Sequence, residues 1–246
     1  MPVDNEWYHA LGDAWWDTEG VMGPLHEINP TRVAYFCGVL GQLEGQRILE
    51  LGCGGGLMAE EYARRGAATV GIDRSMTSLH AAVRHAAIEK YSICYLGSVA
   101  ERLPFRDGAF DAVVSADTLE HVDDVPRVVA EAARVLKPGG CFVYDTVNRT
   151  WKSRLLLVWL PQNVFHIAPP DTHDYHKFVK PEELHKILAS KGLTNRETRG
   201  IALRRNPLAA AISFARTRRL GGFVLSDDTA MSYVGYAVKA PAGIAA

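Results

Sequence analysis

The sequence predicts an α/β fold: a doubly wound, mostly parallel seven-stranded Rossmann-like sheet with an N-terminal helical cap and an acceptor-side lid insertion. Three observations carry this. Apolar strands and helices alternate from Arg47 to Val147, a glycine run follows the first strand directly, and an aspartate ends the second. At 246 residues and 48% hydrophobic, the chain is long enough to bury a core around such a sheet.

The elements follow in order. Residues 1–45 form a cap or lid, because Trp7, Tyr8, Trp15 and Trp16 in a short acidic stretch need apolar surface to cover. A helix from Pro30 to Leu40 closes it, with the proline read as a first-turn residue. The core spans 46–147, with strands at 47–51, 67–72, 92–96, 110–115 and 141–147. Its helices cover 57–65, 75–89 and 124–136, the last stopped by Lys137-Pro138-Gly139-Gly140. Residues 148–230 hold acceptor-side helices and a lid: an apolar helix to Leu160, a loop at 162–180, a helix from Pro181, a strand at 193–203 and a helix at 207–220. A final strand and short tail occupy 231–246.

Composition narrows the partners. Lys and Arg total 27 against 28 for Asp and Glu, a net charge of -1, which gives no electrostatic reason to expect nucleic acid. Cys37, Cys53, Cys94 and Cys141 lack the spacing of zinc or disulfide frameworks. The acidic, polar start does not read as a secretory signal, and no apolar run is long enough to span a bilayer. A cytoplasmic location is expected.

The sharpest motif is Glu50-Leu51-Gly52-Cys53-Gly54-Gly55-Gly56. Glycines there allow a tight turn and bring backbone N–H groups against a ligand. The spacing Gly52, Gly54, Gly56 departs from the G-x-G-x-x-G dinucleotide pattern, and a carboxylate at Glu50 suits the ammonium of S-adenosylmethionine better than a pyrophosphate. Asp73 is placed to accept hydrogen bonds from two ribose hydroxyls, with Arg74 beside it. Ser98, Val99 and Ala100 should border the adenine, and Ser115 should close the cofactor site at the end of the fourth strand.

Asp117, Glu120 and His121 follow that strand and enter the space where ligands of such sheets bind. Two carboxylates and an imidazole in five positions can hold Mg²⁺ or another divalent ion, or supply a general base. They can equally serve as a helix-start cap. A phenol or catechol, with a pKa near ~10, needs a base or a cation to become nucleophilic at neutral pH. His166, His173, His176 and Lys177 are candidates for completing an acceptor pocket, with Trp16 and His26 contributed by the cap. A solvated polar loop is the other reading of the 162–180 segment.

Several segments carry a resemblance. These are WW at 15–16, LHEINPTRVAYF at 25–36, ILELGCGGGLMAEEYARRGAATVGID at 48–73, LEHVDD at 119–124, VLKPGG at 135–140, NRTWKS at 148–153 and THDYHKFVKPEEL at 172–184. The chain resembles the bacterial ubiquinone-biosynthesis O-methyltransferases from about residue 7 to 200. The resemblance implies a class I S-adenosylmethionine-dependent enzyme that methylates hydroxyls of small, polyprenylated aromatic rings. It places Gly52 and Asp73 on the cofactor, Arg32 at the substrate entrance, and a divalent metal near Asp117, Glu120 and His121. Asp117 stands where the family often carries glutamate. RLLLVWLPQNVFHIAPP is more Pro-rich than the family pattern, and the tail after 200 departs from it. Apolar residues beside arginines in that tail suit peripheral contact with the inner face of an anionic membrane, a lid, or a helix packed on the core. Two other functions stay open from the residues alone: methylation of carbon or nitrogen in another small molecule, and cofactor binding without catalysis.

Overall fold

The computed structural model describes residues 6–159 and 174–241. The glycine-ended first strand and its alternating neighbours assemble one eight-stranded sheet of order β3-β2-β1-β4-β5-β8-β6-β7. Strands β1 (Arg47–Leu51), β2 (Ala68–Asp73), β3 (Cys94–Gly97), β4 (Phe110–Ala116) and β5 (Leu136–Val147) are parallel. Strands β6 (Leu193–Leu203), β7 (Phe223–Ser226) and β8 (Ser232–Lys239) complete the sheet in antiparallel pairings. The last strand of the chain thus returns to lie between β5 and β6.

The sequence predicts seven strands, and the structure corrects that to eight. The added strand β7 has four residues between Gly221-Gly222 and Asp227-Asp228, too short to show an alternating pattern. Strand β5 starts at Leu136, upstream of the expected Cys141, because a bulge between Phe110 and Ala112 accommodates Pro138 and the glycines in the pairing.

Alternation along each parallel strand builds a core on both faces. Ile48, Ala112, Val114 and Val143 face one core with α2 (Gly23–Leu40) and α3 (Leu57–Ala63). Leu49, Leu51, Val113, Phe142 and Tyr144 face the other, which takes in α5 (Val125–Val135) and α7 (Pro181–Ser190). The connections after β1 and β4 leave toward opposite edges of the sheet where the strand order reverses, and the crevice between them is where a ligand of such a sheet belongs.

Local chemistry fixes the helix starts. Ser75 caps α4 (Met76–Ile88) by accepting from the Ser78 N–H, and Asp124 caps α5 by accepting from Arg127. Helix α2 begins a full two turns before the expected Pro30, with Pro24 in its first turn and Pro30 inside it. Tertiary anchors carry α2 through the missing N–H of Pro30: the Thr31 hydroxyl donates to the Phe223 carbonyl at 2.9 Å. After β5, α6 (Trp151–Ser153) opens on a Thr150 cap and widens into a π-helical stretch at Arg154–Trp159, where a regular helix is expected. Helix α8 (Pro207–Thr217) is capped by Asn206. Among the described residues, no helix is long and apolar enough to cross a membrane.

Candidate active site

The glycine loop is built as its residues demand. Gly52, Gly54 and Gly56 have φ of +64, +51 and +86°, a region that glycine enters without strain. Gly54 donates its N–H to Asp73 Oδ2 at 2.8 Å, and Ser75 donates to Oδ1 at 2.7 Å. Asp73 therefore fixes both the loop and the turn after β2, with its carboxylate half-buried. Ser98 follows directly, its N–H on the Asp73 carbonyl at 3.0 Å. Val99 is exposed beside it, Ala100 is buried in the core, and Arg74 points to solvent.

Glu50 lies under the loop and is almost fully buried. One oxygen accepts from the Ala59 backbone and the other has no protein partner. Burial, reinforced by the Asp73 charge, pushes its carboxyl well above the usual range. Two roles are open to Glu50 from the sequence, facing the cofactor's ammonium or holding loop amides, and the structure ties it to Ala59 at the start of α3 while leaving its other oxygen unpartnered.

The turn after β4 is stitched to that loop. The Thr118 hydroxyl donates to the Leu51 carbonyl at 2.9 Å, and a side chain at Gly52 would collide with Thr118 at 2.6 Å. Asp117 sits just before it with φ +48°, a left-handed conformation that costs a non-glycine residue ~1–3 kcal/mol unless its surroundings hold it. They do. Arg32, nearly fully buried, brings one nitrogen to Asp117 Oδ1 at 2.5 Å and to Asp145 Oδ1 at 2.8 Å. The Asp117 N–H donates to the same Asp145 oxygen at 3.3 Å.

These contacts sort the charges. Burial works against ionisation of Asp117, but the Arg32 guanidinium beside it holds the carboxyl below its usual range. Burial drives Asp145 the other way, well above its usual value, and Arg32 only partly opposes this. Glu120 accepts from the Thr146 hydroxyl at 2.8 Å and is pushed up to about 8, first by burial and then by the Asp117 charge. His121 lies on the far side of the turn, edge-on to the Tyr8 ring at 5.4 Å. Ser115, fully buried at the end of β4, has a hydroxyl with no protein partner.

The expected metal set does not form. Asp117 is committed to Arg32 and Glu120 to Thr146, and among the described residues no group of three or more His, Cys, Asp or Glu side chains could hold an ion. The residues present do not fit a divalent metal, and no chemical step here is routed through one.

The acceptor-side residues divide. His26 meets the Trp15 carbonyl at 2.9 Å, and Trp16 stacks on His85 and donates to the Gly55 carbonyl at 3.1 Å. Both stay with the cap over the glycine loop. Arg32 is buried between Asp117 and Asp145, where the resemblance implies a place at the substrate entrance. Lys177 pairs with Asp123 at 2.6 Å, two residues beyond His121, and His176 is exposed. His166 and His173 lie outside the described residues. Asp145, Tyr8, Trp15, Thr118 and Thr146 belong to the site and were not singled out as site residues from sequence. Asp145 carried a signal, a lone acid inside the apolar strand CFVYDTV.

Comparison with known proteins decides the family. The ubiquinone biosynthesis O-methyltransferase of Alkalilimnicola ehrlichii is 38% identical over 96% of this chain and 90% of its own length. That of Hahella chejuensis is 38% identical over 94% of this chain and 92% of its own. The chain belongs to the ubiquinone biosynthesis O-methyltransferase family. Residues 49–144 match the family model described as a methyltransferase domain. Among solved structures, an S-adenosylmethionine-dependent methyltransferase from Thermotoga maritima superposes with a TM-score of 0.64 at 19% identity, covering 96% of this chain and all of that one, 100%. Magnesium protoporphyrin IX methyltransferase from Synechocystis, solved with bound S-adenosylhomocysteine, gives 0.64 at 16% identity, over 96% of this chain and 97% of that one. At such identities the structures establish the fold. As a member of this family, the chain is an S-adenosylmethionine-dependent methyltransferase.

Proposed function

We propose that this methyltransferase transfers its methyl group to a phenolic or catechol hydroxyl of a small aromatic quinone precursor, with His121 as the base. One observation carries the reading: Thr118 ties the Asp117–His121 turn to the cofactor loop at Leu51 and Gly52. A base on that turn is held beside any donor the loop holds, the positioning on which a displacement reaction depends.

The step balances without an acid. The hydroxyl proton passes to the imidazole, an oxygen lone pair forms the new O–C bond, and the C–S electron pair returns to the sulfonium sulfur in line. The Asp117 charge, kept ionised by Arg32, favours the imidazolium that results, and His121 in turn helps hold Asp117 charged. Glu120, raised to about 8, is largely uncharged at neutral pH and adds little repulsion toward a phenolate.

An acceptor panel tests the reading. Short polyprenyl catechols, non-prenylated catechols and acceptors offering only nitrogen or carbon are incubated with deuteromethyl-labelled donor and read by mass spectrometry. A labelled methyl ether on a catechol is expected, and product confined to nitrogen or carbon would sink the proposal. With the carboxylates committed as described, the rate is expected to survive a chelator. Loss of activity restored by Mg²⁺ would mean that Arg32 releases Asp117 during turnover.

The same reading takes the Arg-rich C-terminal segment as peripheral contact with an anionic membrane, the phase that holds a prenylated acceptor. Ile212 is exposed on α8, Arg216 lies in its last turn, and Arg218 and Arg219 follow it, the latter paired with Glu19. Co-sedimentation with phosphatidylglycerol vesicles that fades with salt is expected; equal binding to neutral vesicles would remove the electrostatic part.

A further inference from the structure

The N-terminal strap made by α1 (Glu6–Leu11) and the 3-10 turn Gly12–Trp16 lies across the cofactor loop, and its aromatic side chains divide into two groups. Trp15 is buried on the loop itself: a Cβ on Gly54 would meet its ring at 2.5 Å, and its indole N–H donates to Ser78 Oγ at 2.9 Å. Trp16 lies flat on His85, with centroids 3.3 Å apart and planes 3° from parallel, and donates to the Gly55 carbonyl. His85 is set in place by Glu60, both of whose oxygens lie 3.0 Å from Nδ1. These contacts moor the strap to α4 and to the loop.

Tyr8 is different. It stacks on Trp15 at 5.9 Å, stands edge-on to His121 at 5.4 Å, and lies in the fields of Asp117, Glu120 and Asp73. Its ring therefore stands between Trp15, which lies on the cofactor loop, and the imidazole after β4. A methyl donor held by the glycine loop and reacting beside His121 must cross that same interval.

We propose that residues 8–16 form a gate for the cofactor, with Tyr8 as the plug and the Trp16–His85 stack as the latch. Gly12, at φ +49° with only the Thr77 methyl 4.0 Å from where a side chain would start, is the joint between the helix that bears Tyr8 and the tryptophans on the loop. Loading the donor swings Tyr8 off His121 while Trp15 and Trp16 stay on the loop. Trp16 and His85 are positioning residues, since neither reaches the reacting atoms. The gate rests on the proposed place of His121 at the reacting methyl, and its test reads cofactor release, which is independent of the acceptor.

The test uses S-adenosylhomocysteine with the full chain. Dissociation is followed by stopped-flow displacement, using the intrinsic fluorescence of the strap tryptophans. Trp16→Ala and His85→Ala are each expected to speed release by about tenfold, the scale of one lost aromatic pair. The KM for the methyl donor should rise more than kcat falls. His85→Phe, which keeps a flat ring under Trp16, should restore the slow release, whereas a purely structural role would lower thermal stability and leave the release rate alone. Hydrogen exchange needs no variant: bound S-adenosylhomocysteine is expected to change protection at residues 8–12 far more than at 15–16. Unchanged release in both alanine variants, or identical exchange across 8–16 with and without ligand, would overturn the gate.

Discussion

At the residue scale, the site turns on how Asp117 and Asp145 share one cation. Arg32 reaches both through a single nitrogen, so its removal leaves a fully buried acid facing a partly exposed one with no cation between them. Breaking a fully buried pair costs ~3–5 kcal/mol, and solvent at Asp117 together with proton uptake at Asp145 lowers that to about 1–3 kcal/mol. Arg32→Met is therefore expected to lower the unfolding free energy by roughly that amount at neutral pH, with partial recovery in acid as one carboxyl protonates; denaturant unfolding at two pH values reads this out. Glu120 gives a cleaner signal. Its folded-state value of about 8 lies above that of an unfolded glutamate, so the folded state holds the proton longer. Its contribution is fully present below the unfolded value near ~4.3 and is lost as pH rises toward 8. The melting temperature of the wild type should fall relative to Glu120→Gln across that window; parallel curves would show that Glu120 titrates normally. Asp73 accepts from Gly54 and Ser75 at the end of β2, the place expected of a ribose-binding carboxylate. Asp73→Ala is expected to weaken S-adenosylhomocysteine binding by about 10–100-fold, since each lost charge-assisted hydrogen bond is worth ~1.5–3 kcal/mol. Calorimetry reads it directly, and Asp73→Asn should fall between the two.

At the element scale, α2 links Asp117 and Asp145 to the outer sheet. Arg32 points to β4 and β5, Thr31 donates to the β7 backbone, and Tyr35 donates to Glu197 on β6 at 2.8 Å. Near the start of the helix, Glu27 accepts three backbone N–H groups, from Leu220, Gly221 and Gly222, at 2.8, 2.7 and 3.0 Å. Charge-assisted bonds of this kind make Glu27 the anchor of the edge strand. Glu27→Ala is expected to speed hydrogen exchange at 220–226 at least tenfold with little change in β1 and β4. Uniform loss of protection would instead make Glu27 a determinant of global stability. The helix also shows where the sequence stops being legible. Pro30 reads locally as a start, yet contacts nearly two hundred residues away in sequence hold the helix straight through it. Strand β7 was missed for the same reason, since four residues between glycines and acids take their conformation from β6.

At the scale of the whole molecule, the parallel half was legible because both faces of its strands are buried and their sequences are continuously apolar. The glycine loop, Asp73 and the turn at 117–121 were legible because their residue types follow those strands immediately. What the sequence could not give was direction. Asp117, Glu120 and His121 lie within five positions, but a left-handed residue at 117 and the pull of Arg32 turn the carboxylates away from a common point. Asp145 and Tyr8 enter from strand and cap positions remote in sequence, and only the fold brings them to the turn. The relatives, at 38% identity across nearly the whole chain, then fix the family to which this arrangement belongs.

The central claim is that His121, stitched to the cofactor loop through Thr118, takes the acceptor's proton. The most direct measurement is single-turnover methyl transfer to a catechol by wild type and His121→Ala, with S-adenosylhomocysteine affinity determined on the same samples. The account predicts a rate lower by about 10²–10⁴-fold in the variant, with affinity within about twofold and partial recovery at high pH, where the acceptor ionises unaided. A variant that transfers methyl at the wild-type rate at neutral pH would contradict it.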